Sequence, residues 1–186
     1  MKIKSILLII LVALTAATAT EAKIMRLLNF DKGDMPSSFS GCEMGLAEEN
    51  FEKGCSLSLK AVFSKIGWVG EYAPKKACWT GFKQIKFSAF NAADKNVTLT
   101  FVVKDQISNG NREGKKTWIV LPFPLKPGMN EVTLSLEGAK AQDGRSIDLK
   151  KIIQWHLSFK MFPEESWEEK GSDSFTVFIS NIRLEN

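Results

Sequence analysis

The sequence predicts an all-β chain, folded as a two-sheet antiparallel β-sandwich of the jelly-roll type with one short helix. Three observations carry this expectation. From residue 27 onward, short segments rich in β-branched and aromatic residues recur. Clusters of Gly, Pro, Asn and Asp separate them, and several segments alternate strictly between apolar and polar side chains. About eight such segments are too many for a small immunoglobulin-like domain and suit a jelly roll.

Residues 1–22 read as a secretory signal peptide and residues 23–186 as one domain. Lys2 and Lys4 precede an apolar run at 6–14, and small residues follow it, including Ala17, Ala19 and Ala22. The run is roughly half the ~20 residues a membrane-spanning helix needs. Cleavage is expected after Ala19 or Ala22, leaving no membrane anchor on the mature chain. The absence of a Cys just after the run disfavours a lipid anchor.

Strands are expected at 27–31, 56–63, 84–91, 97–104, 117–122, 130–136, 154–161 and 175–184. Turn residues sit between them at 91–94, 108–111, 127–128 and 143–144. Residues 148–152 read as one or two helical turns, with Asp148 as cap. In the 154–161 segment Trp155, Leu157, Phe159 and Met161 point to one face and Gln154, His156, Ser158 and Lys160 to the other. The segments at 84–91 and 97–104 alternate in the same way. All three are therefore expected in one sheet with a core face and a solvent-facing polar face.

Composition limits the chemistry. One His, one Tyr and three Cys leave little for His-based catalysis or a Cys/His metal cluster, while five Trp and thirteen Phe supply packing and stacking surfaces. A net charge of +4, from 25 basic and 21 acidic residues spread along the chain, is too small to indicate nucleic acid. In an exported protein thiols tend to pair. Three cysteines permit at most one intrachain disulfide, and both Cys42 to Cys55 and Cys42 to Cys78 are open. Three small buried hydrophobes is the other reading.

Six segments in order carry a resemblance. They are Leu27-Leu28-Asn29-Phe30-Asp31, Phe87-Ser88-Ala89-Phe90-Asn91, the strand from Leu99 running into Asp105, and Leu125-Lys126-Pro127-Gly128-Met129-Asn130. Gly144-Arg145-Ser146-Ile147-Asp148-Leu149 and Phe178-Ile179-Ser180-Asn181-Ile182-Arg183-Leu184 complete the set. Together they resemble the galactose-binding-like jelly rolls used as bacterial carbohydrate-binding modules. The resemblance implies that fold, a carbohydrate ligand, and a structural calcium near the two chain ends. Asp31 and Asp173 are the carboxylates it offers such an ion. Ser180 stands where the family carries an acid before Asn181, which removes a charge a hard cation wants. Asn181 and Arg183 are expected to tie the last strand to neighbouring loops.

For sugar binding, an aromatic plane stacks on a pyranose ring while amides and charged groups bind its hydroxyls. Trp68, Tyr72, Trp79 and Trp167 lie in loop-like contexts and are the stacking candidates, although a loop Trp also serves to plug the end of a sandwich. Gln154 and His156, with Phe90, Gln84, Lys86 and Lys160, are placed on the polar sheet faces; Trp118 and Trp155 are assigned to the core. Gln154 and His156, with Tyr72 as the acid or base, also resemble the catalytic set of jelly-roll polysaccharide lyases. The Tyr-rich and Arg-containing strands of those lyases have no match here. Glu164, Glu165, Glu168 and Glu169 read as a solvated loop rather than a glycosidase pair.

The sequence thus points to a secreted or periplasmic, non-catalytic carbohydrate-binding module for a polysaccharide or oligosaccharide. The alternatives are a structural or protein-interaction sandwich of the cell envelope with a protein partner, and then a small polysaccharide lyase.

Overall fold

Among the described residues, aromatic and β-branched side chains dominate nine strands that form one continuous antiparallel ladder, doubled over into two layers. The computed structural model describes residues 23–110, 114–161 and 174–186. The strands are β1 (Ile24–Arg26), β2 (Ser38–Ala47), β3 (Ser58–Tyr72), β4 (Gln84–Asn91), β5 (Val97–Asp105), β6 (Ile119–Leu125), β7 (Gly128–Ser135), β8 (Ile152–Phe159) and β9 (Phe175–Glu185). A short helix, α1 (Gln106–Gly110), follows β5.

The doubling happens inside β3. Its first half pairs with β9, from Leu59↔Ile179 to Phe63↔Phe175, and its second half pairs with β8, from Gly67↔Phe159 to Tyr72↔Gln154. Between the halves the pairing with β2 jumps from Ser40↔Trp68 to Cys42↔Phe63. Backbones approach closely at this bulge, so glycine is required on both strands. A Cβ on Gly41, whose φ is 67°, would lie 2.2 Å from the Ile66 carbonyl oxygen, and one on Gly67 would lie 2.4 Å from that of Ser40.

One layer is therefore β6-β5-β8 with the second half of β3, and the other is the first half of β3 with β9, β4 and β7. Aromatic rings join them across the core. Phe87 of β4 lies 6.1 Å from Phe101 of β5, and Phe159 of β8 stacks at 5.3 Å on Phe175 of β9. Burying such rings is the main drive for the two layers to close.

Several expectations change. The strand expected at 27–31 is a 3-10 turn at Phe30–Lys32, behind the short β1. β2 is an edge strand whose sequence lacks a clean apolar alternation, and β3 runs on to Tyr72 rather than stopping at 63. Residues 148–152 form a turn, closed by Lys151 N–H donating to the Asp148 carbonyl, and the helix lies instead at Gln106–Gly110. β4 sits in the layer opposite β5 and β8, so Gln84, Lys86 and Phe90 are remote from the polar face of β8. The 84–91 strand itself matches β4, and Gly128 takes the positive φ of 85° expected of its turn. Asn181 and Arg183 both reach Glu52, tying β9 to the loop before β3 as expected. All three cysteines are free, with Cys78 exposed, so neither disulfide nor full burial holds. Among the described residues no helix is long and apolar enough to cross a membrane.

Candidate functional site: the outer face of the β6-β5-β8-β3 layer

Register decides which side chains share the face turned away from the core. Residues directly opposite one another project to the same side. Trp68, Ser158 and Thr100 form one row, Gly70, His156 and Val102 the next, and Tyr72, Gln154 and Lys104 the third. Trp118 comes just before β6, next to the third row.

His156 occupies the middle row. Its ring centroid lies 5.3 Å from Trp68, tilted by 48°, and 6.2 Å from Trp118 in an edge-on contact. Gly70 opposite supplies no side chain, and a Cβ there would fall 2.1 Å from the Trp155 carbonyl oxygen and 2.7 Å from the His156 Cβ. Only glycine allows β3 to pass that close to β8, which lets the Trp68 ring lean over to the imidazole.

The polar face is not wet. His156 is only 1% exposed, and Ser158, Thr100 and Gln154 are buried too. Alternation assigned these residues to the correct side but to solvent. Burial pushes the imidazole down to about 3, with a further push from the ammonium of Lys104, so His156 is neutral at physiological pH. Among the described residues neither ring nitrogen has a hydrogen-bond partner, and the Thr100 hydroxyl has none either. Lys104 Nζ donates to Gln154 Oε1 at 2.9 Å and stands 3.6 Å from the centre of the Trp118 ring, a cation–π contact. Chemically the face offers two flat indoles, a neutral imidazole with a free donor and acceptor, an amide, an ammonium, and the 53% exposed phenol of Tyr72.

Of the residues expected to bind ligand, Trp68, Tyr72, Gln154 and His156 are brought together here. Trp79 is not: it is 0% exposed, and its indole N–H donates to the Lys76 carbonyl at 2.8 Å. The loop around it docks on the core, so its ring presents no face to solvent. Trp167 lies outside the described residues. Trp155 is in the core as expected, whereas Trp118, also assigned there, is half-buried on the outer face. The strand begins at Ile119 rather than at 117, and that shift moved Trp118 out of the alternation.

The calcium implied by the family resemblance finds no fitting donor set among the described residues. Asp31 Oδ1 already accepts from the Ser56 and Leu57 backbone N–H groups and from the Ser56 hydroxyl, at 2.8, 2.9 and 3.0 Å. The Ser56 N–H does most to hold its carboxyl below the usual range. The adjoining space is about 10 Å3, and its other charged wall is the cation Arg26. Ser180 supplies a hydroxyl, which accepts from the Glu52 N–H at 2.9 Å, where the family has an acid. Asp173 lies outside the described residues. No cluster of three or more His, Cys, Asp or Glu able to hold a metal exists among the described residues.

No family model matches the chain, and no curated sequence matches it. Solved structures do. An agarase aligns over 87% of this chain with 19% identity and a TM-score of 0.59; the chain spans 24% of that agarase's length. A family 11 carbohydrate-binding module from Clostridium thermocellum, solved with a β-1,3-1,4-mixed-linked tetrasaccharide, aligns over 87% of this chain and 94% of its own. It is 12% identical, with a TM-score of 0.57. A family 27 module from Caldicellulosiruptor saccharolyticus, solved with mannohexaose, covers 87% and 96% at 12% identity and a TM-score of 0.50. The chain therefore has the β-sandwich jelly-roll fold that these carbohydrate-binding modules share.

Proposed function

We propose that this chain is a secreted, non-catalytic carbohydrate-binding module that holds a polysaccharide on the outer face of the β6-β5-β8-β3 layer. The observation that carries the reading is the pair of indoles, Trp68 and Trp118, on either side of His156 and beside the row of Tyr72, Gln154 and Lys104. Indole planes stack on the apolar face of a pyranose, and the exposed phenol of Tyr72 and the half-buried ammonium of Lys104 bind its hydroxyls. Solved relatives in fold carry a mixed-linked β-glucan fragment and mannohexaose, which supports a glycan ligand. Lys2, Lys4 and the apolar run after them support export. Burial of a neutral His156 supports a binding rather than a proton-transfer role, since a buried imidazole held at about 3 is a poor base at neutral pH.

Affinity electrophoresis through gels containing agarose, mixed-linked β-glucan or mannan tests the proposal. Retardation by at least one polymer is expected. Trp68→Ala and Trp118→Ala should each weaken it by about tenfold, the effect of losing one central aromatic anchor. A chain that no polymer retards, or one whose retardation survives both substitutions, overturns it.

A further inference from the structure

A second cleft, of about 310 Å3, opens between the 27–35 segment and the end of β3. It lies away from the aromatic face, and its chemistry differs. Leu27 and Leu28 contribute buried apolar surface, while Asp34, Glu71, Lys75 and Lys76 supply charge. No aromatic ring of the described residues lines it, so stacking a sugar is not what this lining offers.

Glu71 is the unusual member. It sits on the core side of β3, directly opposite Trp155 of β8, and is half-buried. Among the described residues its carboxylate forms no ion pair, and Lys76 spends its ammonium on the Arg26 carbonyl instead. Burial pushes the carboxyl up, as does Asp34, while the Trp155 indole N–H and the two lysines pull it back. The Trp155 ring is only 1% exposed and is locked by stacking on Phe101 at 5.5 Å with an 8° tilt. Its buried Nε1–H has no partner in hydrogen-bond geometry among the described residues, although it reaches toward Glu71. A rigid donor short of hydrogen-bond geometry thus stands behind a half-buried carboxylate that its neighbours compensate only in part, at the wall of an open cleft. Such groups are unfavourable alone and become favourable once a cation completes the set.

We infer that this cleft is a second binding site, for a small ligand carrying a primary ammonium group that docks between the carboxylates of Glu71 and Asp34. On docking, one Glu71 oxygen takes the ammonium and the other settles onto the Trp155 N–H. Asp34 keeps its existing bond, in which Oδ2 accepts from the Asn29 N–H at 2.8 Å, and offers its other oxygen. Leu27 and Leu28 take the body of the ligand. The volume is at the small end for ligand pockets, enough for one aminosugar or a short amine and too small for a length of polymer. Both sources share the ammonium chemistry.

The Trp155 indole N–H gives its own signal in a 1H–15N spectrum, which makes it the reporter. Glucosamine and putrescine are titrated into the 15N-labelled chain, with N-acetylglucosamine and glucose as partners lacking the charge. Saturable movement of the Trp155 signal by either amine, and not by the two uncharged sugars, is expected. Glucosamine binding more tightly than putrescine marks the aminosugar, and comparable binding marks the amine alone. Glu71→Gln and Asp34→Asn should each weaken binding by about tenfold or more, the loss of one charge-assisted contact. In the parent chain binding should fade as pH drops and Glu71 protonates, against a background set by Asp34, Lys75, Lys76 and Trp155, so the inference stays testable if a variant fails to fold. A Trp155 signal that neither amine moves, equal movement by N-acetylglucosamine, or parent-like binding by both variants overturns it. Trp68→Ala should leave amine binding intact, which separates this site from the glycan face.

Discussion

Arg145 grips Asp105 through two parallel contacts, Nη1 to Oδ2 at 2.8 Å and Nη2 to Oδ1 at 2.9 Å. Asp105 is fully buried where β5 runs into α1, and it also accepts the backbone N–H groups of Ser108 and Asp148, each at 2.9 Å. Burial works to raise this carboxyl, but the guanidinium and the N–H donors outweigh it and hold the group well below the usual carboxylate range. The arrangement also explains the Gly-Arg-x-x-Asp-Leu segment: Arg145 reaches back to β5, and the backbone of Asp148 donates to the same carboxylate.

Removing Arg145 leaves the buried carboxylate without its counter-charge. Arg145→Ala should cost about 3–5 kcal/mol in urea unfolding. Because Asp105 is depressed in the folded state, its contribution is present above its unfolded pKa of about 4 and is lost as pH falls below that value. A cost under about 1 kcal/mol, the value of an exposed pair, would contradict this account.

His156 shifts stability in the same direction, over a higher pH range. Its folded pKa of about 3 lies below the ordinary value of 6.5, chiefly through burial and then through Lys104. The unfolded chain takes up a proton that the folded chain refuses, so stability is full above about pH 6.5 and declines as pH drops from there toward about pH 3. His156→Gln should flatten that slope, and the imidazole C–H signals of the parent should not titrate between pH 8 and pH 5, roughly the range of an ordinary His. A midpoint near 6 to 7 by NMR would place the ring in water, about where an unperturbed imidazole titrates.

Calcium should make little difference to the fold. Asp31 is occupied by three donors and Arg26 faces the same space, so direct hydrogen bonds already tie the 27–35 segment to the chain just before β3. The melting temperature is expected to be the same in excess calcium and in chelator. A rise of several degrees with calcium would require ligands beyond those described. Asp31→Ala, by contrast, should lower the melting temperature in either buffer, since it frees the Ser56 and Leu57 N–H groups.

The three thiols should separate by reactivity. Cys78 is exposed, and the backbone N–H of Thr80, followed by its side chain, stabilises the thiolate and lowers its pKa. Burial pushes Cys42 up to about 11 and raises Cys55 as well. Brief alkylation with iodoacetamide near neutral pH, read by peptide mass spectrometry, should label Cys78 first. Labelling of Cys42 ahead of it would mean that the β2 edge opens readily.

The sequence by itself determined the class of fold and the side of the sheet on which most residues of the central strands lie. Period-two alternation placed Trp155, Leu157 and Phe159 in the core and Gln154, His156 and Ser158 opposite, because successive side chains in a strand must point apart. It also marked the turn at Gly128 and the role of Asn181 and Arg183, which depend on local backbone conformation and short reach. Only the tertiary structure decided what covers the second face. The register of β3 on β8 and the missing side chain of Gly70 bring Trp68 over His156, and the late start of β6 turns Trp118 toward the same ring. The loop bearing Trp79 docked inward, so that an aromatic with a loop-like sequence context became core. Residues some 90 positions apart meet at the imidazole through strand pairing, and strand partners depend on which edges come together in space rather than on local pattern.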